Sequence, residues 1–126
     1  MTDPLARVLV IDDDTTNLEL VERRLEVAGF SSVLVETGLA GLHHALTEPF
    51  AAVLLDLRLP DLNGLEVLAR LRQERPALPV IVMTAHGSEA IAEMALASGA
   101  TRYLIKPVAR QDLLNAVRES IGGPWH

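Results

Sequence analysis

Residues 7–14 read Arg7-Val8-Leu9-Val10-Ile11-Asp12-Asp13-Asp14, an apolar, largely β-branched run that stops on three consecutive carboxylates. A short run without polar alternation suits a strand buried on both faces, as in the middle of a parallel sheet. Residues 51–56, Ala51-Ala52-Val53-Leu54-Leu55-Asp56, repeat the pattern, and again an apolar strand runs into an aspartate.

Outward from these two runs the hydrophobic period changes to that of a helix. Leu18, Val21, Leu25 and Ala28 recur at three- and four-residue steps, which predicts a helix over 17–28 ending at Gly29, a residue suited to a left-handed stop. The same reasoning predicts helices over 38–48 (Leu39, Leu42, Ala45, Leu46), 64–75 (Leu65, Leu68, Leu71), 89–98 (Ile91, Met94, Ala95) and 112–121 (Leu113, Leu114, Val117, Ile121). Pro49 closes the second of these, and Gly99 the fourth. Residues 32–36, 80–84 and 102–105 complete a set of five predicted strands alternating with five helices. Such alternation forces a parallel sheet with right-handed crossovers and helices on both faces: a three-layer, doubly wound α/β fold. All strands then point their C-terminal ends to one edge, where ligands bind in folds of this kind.

The chain has 126 residues, enough for one domain with a single core, and 49% of them are hydrophobic. The expected domain is 5–121, with 122–126 as a tail or the start of a linker. The absence of cysteine excludes disulfides, Cys-ligated zinc and thiol catalysis. No apolar run is long enough for a membrane span, and the N-terminus lacks the pattern of a signal peptide, so a cytoplasmic protein without membrane association is expected. A net charge of −6 argues against direct nucleic-acid binding. The basic residues are ten arginines and a single lysine, Lys106.

The strand ends carry Asp12 and Asp13, Asp56, Thr84 and Lys106. Carboxylates about 5 Å apart repel by roughly 3 kcal/mol at an effective dielectric near 20, more than one lysine offsets across three acids. A bound cation resolves the conflict, and an all-oxygen donor set suits Mg2+ or Mn2+ better than zinc. Helix capping is the competing explanation for acids before a helix, and it is adopted for Asp14. It does not serve Asp56, which the loop 57–64 separates from the next helix.

Four segments in order, Val8-Leu9-Val10-Ile11-Asp12-Asp13, Leu55-Asp56-Leu57-Arg58-Leu59-Pro60-Asp61-Leu62-Asn63-Gly64, Met83-Thr84-Ala85 and Tyr103-Leu104-Ile105-Lys106-Pro107, resemble the receiver domains of two-component response regulators, of the chemotaxis-regulator-like type. The resemblance implies a flavodoxin-like (βα)5 fold with strand order 2-1-3-4-5. It implies Asp56 as the phosphoryl acceptor, supplied by a histidine kinase or histidine phosphotransfer protein. It also implies a metal held by Asp13, Asp56 and the backbone carbonyl of Arg58, with Asp12 acting mainly through water, and phosphoryl oxygens held by Thr84 and Lys106. Thr84 and Tyr103 would form a switch that alters the surface of the fourth helix, fifth strand and fifth helix, where homodimerisation or an output domain would be served. Such a domain catalyses only its own phosphorylation and dephosphorylation and is not a turnover enzyme.

Arg58 and His86 occupy positions that vary in the family and are expected to modulate the lifetime of the phosphoryl group. Ala109 stands where the family often has a polar helix cap, which leaves the start of the last helix open. Lys106-Pro107 resembles the family's cis junction. His43 and His44, adjacent on a helix, are expected at the surface, and Met83 and Met94 in the core. Asp12-Asp13-Asp14-Thr15-Thr16 also resembles the opening motif of haloacid-dehalogenase-type aspartyl-phosphate hydrolases, but the chain lacks the later acidic pair and a cap domain. A receiver that acts by docking without phosphorylation is a third alternative, opposed by the complete residue set.

Overall fold

The computed structural model describes residues 6–85 and 89–121. Its elements run β1 (Arg7–Ile11), α1 (Thr15–Val27), β2 (Ser31–Val35), α2 (Gly38–Thr47), β3 (Ala52–Asp56), α3 (Gly64–Glu74), β4 (Val80–Thr84), α4 (Glu89–Ala97), β5 (Arg102–Ile105) and α5 (Arg110–Ile121). The strands form one sheet in the order β2-β1-β3-β4-β5, and every neighbouring pair is parallel.

The period of two along each strand divides the core. Leu9, Ile11, Val53, Leu55, Val80 and Val82 meet Leu42 and Ala45 of α2, Val67, Leu68 and Leu71 of α3, and Ala95 of α4. Val8, Val10, Leu54, Ile81 and Met83 face the other way, onto Leu18, Val21 and Leu25 of α1 and Leu113, Leu114, Ala116 and Val117 of α5. Both sheet faces are covered, which is why the central strands show no polar alternation. The chain winds from β1 outward to β2 and then returns past β1 to β3, so the strand order reverses between β1 and β3. The crevice beyond their C-terminal ends is the ligand position of such folds.

Element boundaries moved where caps intervened. α1 starts at Thr15 rather than 17, because the Asp14 carboxylate accepts the backbone N–H groups of Thr16 and Asn17. α5 starts at Arg110 rather than 112; the Ala109 carbonyl accepts the N–H of Leu113, so the missing polar side chain does not delay the helix. Gly29 and Gly99 take φ of +91° and +106° just past α1 and α4, the left-handed stops expected of them.

Two expectations about packing fail. Met94 is 54% exposed and Leu39 is 63% exposed, so neither is core. α4 buries only Ala95 fully, and Met94, rotated by about 100° from it, falls on the flank of the helix. Met83 is buried as expected. Among the described residues no helix is long and apolar enough to cross a membrane. The tail 122–126 and His86 lie outside the described residues.

Candidate functional site

The site is assembled from strand ends. Asp12 follows β1, and its N–H donates to the Val35 carbonyl at 3.0 Å, which carries the β1–β2 pairing one residue further and leaves Asp12 fully buried. Asp56 is the last residue of β3 and Thr84 the last of β4, both buried. Lys106 follows β5, and its N–H donates to the Thr84 carbonyl at 2.9 Å. The Lys106–Pro107 peptide bond is cis.

The side chains converge. Lys106 Nζ donates to Asp12 Oδ2 and to Asp56 Oδ2, each at 2.7 Å. Carboxylate oxygens of Asp12, Asp13 and Asp56 lie within 4.8 Å of one another, with Asp13 exposed at the rim. Asp14 points away into its cap, as expected. The remaining Asp56 oxygen, Oδ1, accepts the Arg58 N–H at 2.9 Å, so the loop after β3 closes back over the acid it follows. A bridge between Arg58 and Asn63 and a bond from Gly64 N to Leu57 O at 2.9 Å hold that loop shut. The Arg58 side chain itself is exposed.

Burial pushes both inner carboxyl groups upward in pKa, and the outcome depends on how many donors answer it. Asp12, with Lys106, the Asp14 N–H and the Asn17 amide, ends below the ordinary carboxylate range. Asp56 has only Lys106 and the Arg58 N–H, carries the repulsion of Asp12 and ends above that range. Burial disfavours the Lys106 ammonium, but the two carboxylates outweigh it and raise its pKa. Three acids against one ammonium leave the pocket negative, and the donor set is oxygen only. That chemistry fits a hard divalent cation such as Mg2+.

Tyr103 lies on β5 and packs against the core on the α2–α3–α4 side. Its hydroxyl is buried without a hydrogen-bond partner among the described residues, so it does not sit in water. Burial raises its pKa. His43 is exposed, while His44 is half-buried and pairs through Nδ1 with Glu48 at 2.5 Å; neither joins the acid cluster.

Sequence reasoning missed two participants. Asn17 donates from Nδ2 to Asp12 Oδ2 at 2.7 Å. Its signal was its position three residues after the Asp14 cap, in the first turn of a helix that starts beside the pocket. Asp61 accepts the N–H groups of Gly38 and Leu39 at 2.8 and 2.9 Å, tying the loop after β3 to the N-terminus of α2. No local pattern gives that contact, because its partners lie 23 and 22 residues away.

Residues 8–118 match the family described as response regulator receiver domain. The photosynthetic apparatus regulatory protein RegA of Rhodobacter capsulatus is 40% identical over 110 residues, covering 87% of this chain and 60% of the relative, so the chain spans only part of that protein. A CheY-like response regulator receiver domain protein from Methanospirillum hungatei superposes with a TM-score of 0.89 at 34% identity, covering 94% of each chain. The receiver domain of a sensor histidine kinase from Pseudomonas aeruginosa, whose structure has a magnesium ion coordinated in the active site cleft, superposes with a TM-score of 0.87 at 28% identity, covering 95% of this chain and 100% of the other.

Proposed function

The chain belongs to the response regulator receiver family, a signalling domain of two-component systems, and on that footing we propose that Asp56 is its phosphoryl acceptor. The observation that carries this reading is the position of Lys106 Nζ, 2.7 Å from both Asp12 and Asp56, at the edge of a cluster of three acids. An ionised carboxylate needs no general base to act as a nucleophile. An Asp56 oxygen forms a bond to phosphorus as the phosphorus–nitrogen bond of a donor phosphohistidine breaks. The imidazole leaves with that electron pair and takes up a proton. Lys106 and Thr84 are suited to hold the equatorial oxygens, whose charge must be neutralised as the group transfers.

Asp13, Asp56 and the Arg58 carbonyl would hold Mg2+ directly and Asp12 through water. When bound, the ion supplies charge neutralisation at the phosphoryl oxygens. The receiver unit is 5–121, with 122–126 as a tail or the start of a linker. The phosphoryl donor is a histidine kinase or histidine phosphotransfer protein in the cytoplasm. Phosphorylation repositions Thr84 and Tyr103 and thereby alters the α4-β5-α5 surface offered to an output domain or a second copy. Arg58, exposed beside the acceptor, and His86 modulate the lifetime of the acyl phosphate.

The test is incubation with a small acyl phosphate or amidophosphate and Mg2+, followed by intact mass. One phosphoryl group is expected on the native chain and none on Asp56→Asn. Labelling that persists in Asp56→Asn, or multiple turnover of phosphate esters, would overturn the proposal.

A further inference from the structure

Asp12 is the most heavily donated acid of the pocket. Its Oδ1 accepts the Asp14 N–H at 3.0 Å, and its Oδ2 accepts both Lys106 Nζ and Asn17 Nδ2 at 2.7 Å. The amide orientation of Asn17 follows from its partner, since an ionised carboxylate only accepts. Asn17 is itself fixed, because its backbone N–H donates to Asp14 Oδ1 at 3.2 Å. Cap, helix and amide thus form one connection from α1 to the buried acid.

We infer that Asn17 is a positioning residue for the cation site. With Oδ2 taken by two donors and Oδ1 by the Asp14 N–H, Asp12 keeps one open lone pair where Asp56 keeps one on each oxygen, which favours Asp13 and Asp56 as the direct ligands. By sharing Oδ2 with Lys106, the amide also weakens the hold of Asp12 on the ammonium, which stays divided between Asp12 and Asp56. A neutral donor suits the task. A lysine or arginine at this position would satisfy Asp12 equally but would repel the cation, and a carboxylate would add a fourth acid. The inference rests on the Mg2+ site proposed above.

The experiment is calorimetric titration of the unphosphorylated chain with Mg2+, comparing the native chain with Asn17→Leu, which keeps the volume and removes the donor, and Asn17→Gln, which keeps an amide. Loss of a hydrogen bond to a group that orders a metal site typically weakens binding about 10-fold or more. We expect about that rise in Kd for Asn17→Leu and tighter binding by Asn17→Gln than by Asn17→Leu. A Kd for Asn17→Leu within about twofold of native, or Asn17→Gln binding as weakly as Asn17→Leu, would overturn the positioning role. Failure of the native chain itself to bind Mg2+ would instead overturn the cation site, and this inference with it.

Discussion

Lys106 and Asp56, fifty residues apart in sequence, meet at 2.7 Å between Nζ and Oδ2, and the same ammonium spans to Asp12. With Asp56 as the proposed acceptor, this ammonium already stands where phosphoryl charge would develop and would not have to be recruited during the reaction. Removing one such donor typically costs on the order of 100-fold in rate. Lys106→Ala is therefore expected to slow labelling of Asp56 by about that factor at saturating Mg2+. A time course of intact mass checks it, and a rate within threefold of native would show that Lys106 is dispensable for transfer.

Asp61 makes the second prediction, on pH. The Leu39 and Gly38 N–H groups at the N-terminus of α2 lower its pKa in the folded chain. A carboxyl group depressed in this way stabilises the fold above its unfolded pKa and loses that contribution as pH falls through the folded value. Asp61→Asn should be less stable than native at neutral pH, with the difference shrinking as pH drops below the ordinary carboxylate range. Urea midpoints measured across that window give the answer, and a difference that grew towards acid would contradict the assignment.

Gly64 opens α3 directly against the loop that closes over Asp56. A Cβ there would stand 2.3 Å from Leu57 Cα and 2.7 Å from Leu57 O, and backbone cannot step aside as a side chain can. Gly64→Ala is expected to cost about 2 kcal/mol or more in urea unfolding and to slow labelling, since Arg58 moves with the loop. Gly38→Ala meets only side-chain atoms of Leu62 and Val67 at 3.1–3.2 Å and should cost less. Equal losses for the two would mean the loop yields freely.

Tyr103 holds a buried hydroxyl without a hydrogen-bond partner among the described residues. Removing an unsatisfied polar group while keeping the ring is expected to stabilise the unphosphorylated chain by about 1 kcal/mol. Thermal unfolding of Tyr103→Phe reads this directly. A loss of stability would show that the hydroxyl is satisfied in solution.

The alternation of apolar runs with helical stripes was legible in the sequence because each element buries a face of its own period. Val8 to Ile11 and Val53 to Leu55 carry no polar residue, since helices cover both sides of the sheet. Asp56, its acidic neighbours and Lys106 were legible for a related reason. A parallel sheet sends every strand end to one edge, so residues at those ends share a site whatever their separation in the chain.

Helix ends were less legible: Asp14 and the Ala109 carbonyl set the starts of α1 and α5 by hydrogen bonds that periodicity does not register. Met94 and Leu39 had the right spacing for the core but the wrong angle to it, and only the docking of each helix on the sheet fixes that angle. The amide of Asn17 on Asp12 and the grip of Asp61 on α2 likewise emerged only in three dimensions. Sequence alone determined which residues reach the edge, because strand direction and period are properties of the chain itself. Tertiary structure decided which donors answer which carboxylate, because that depends on distances and burial set jointly by elements remote from one another in the sequence.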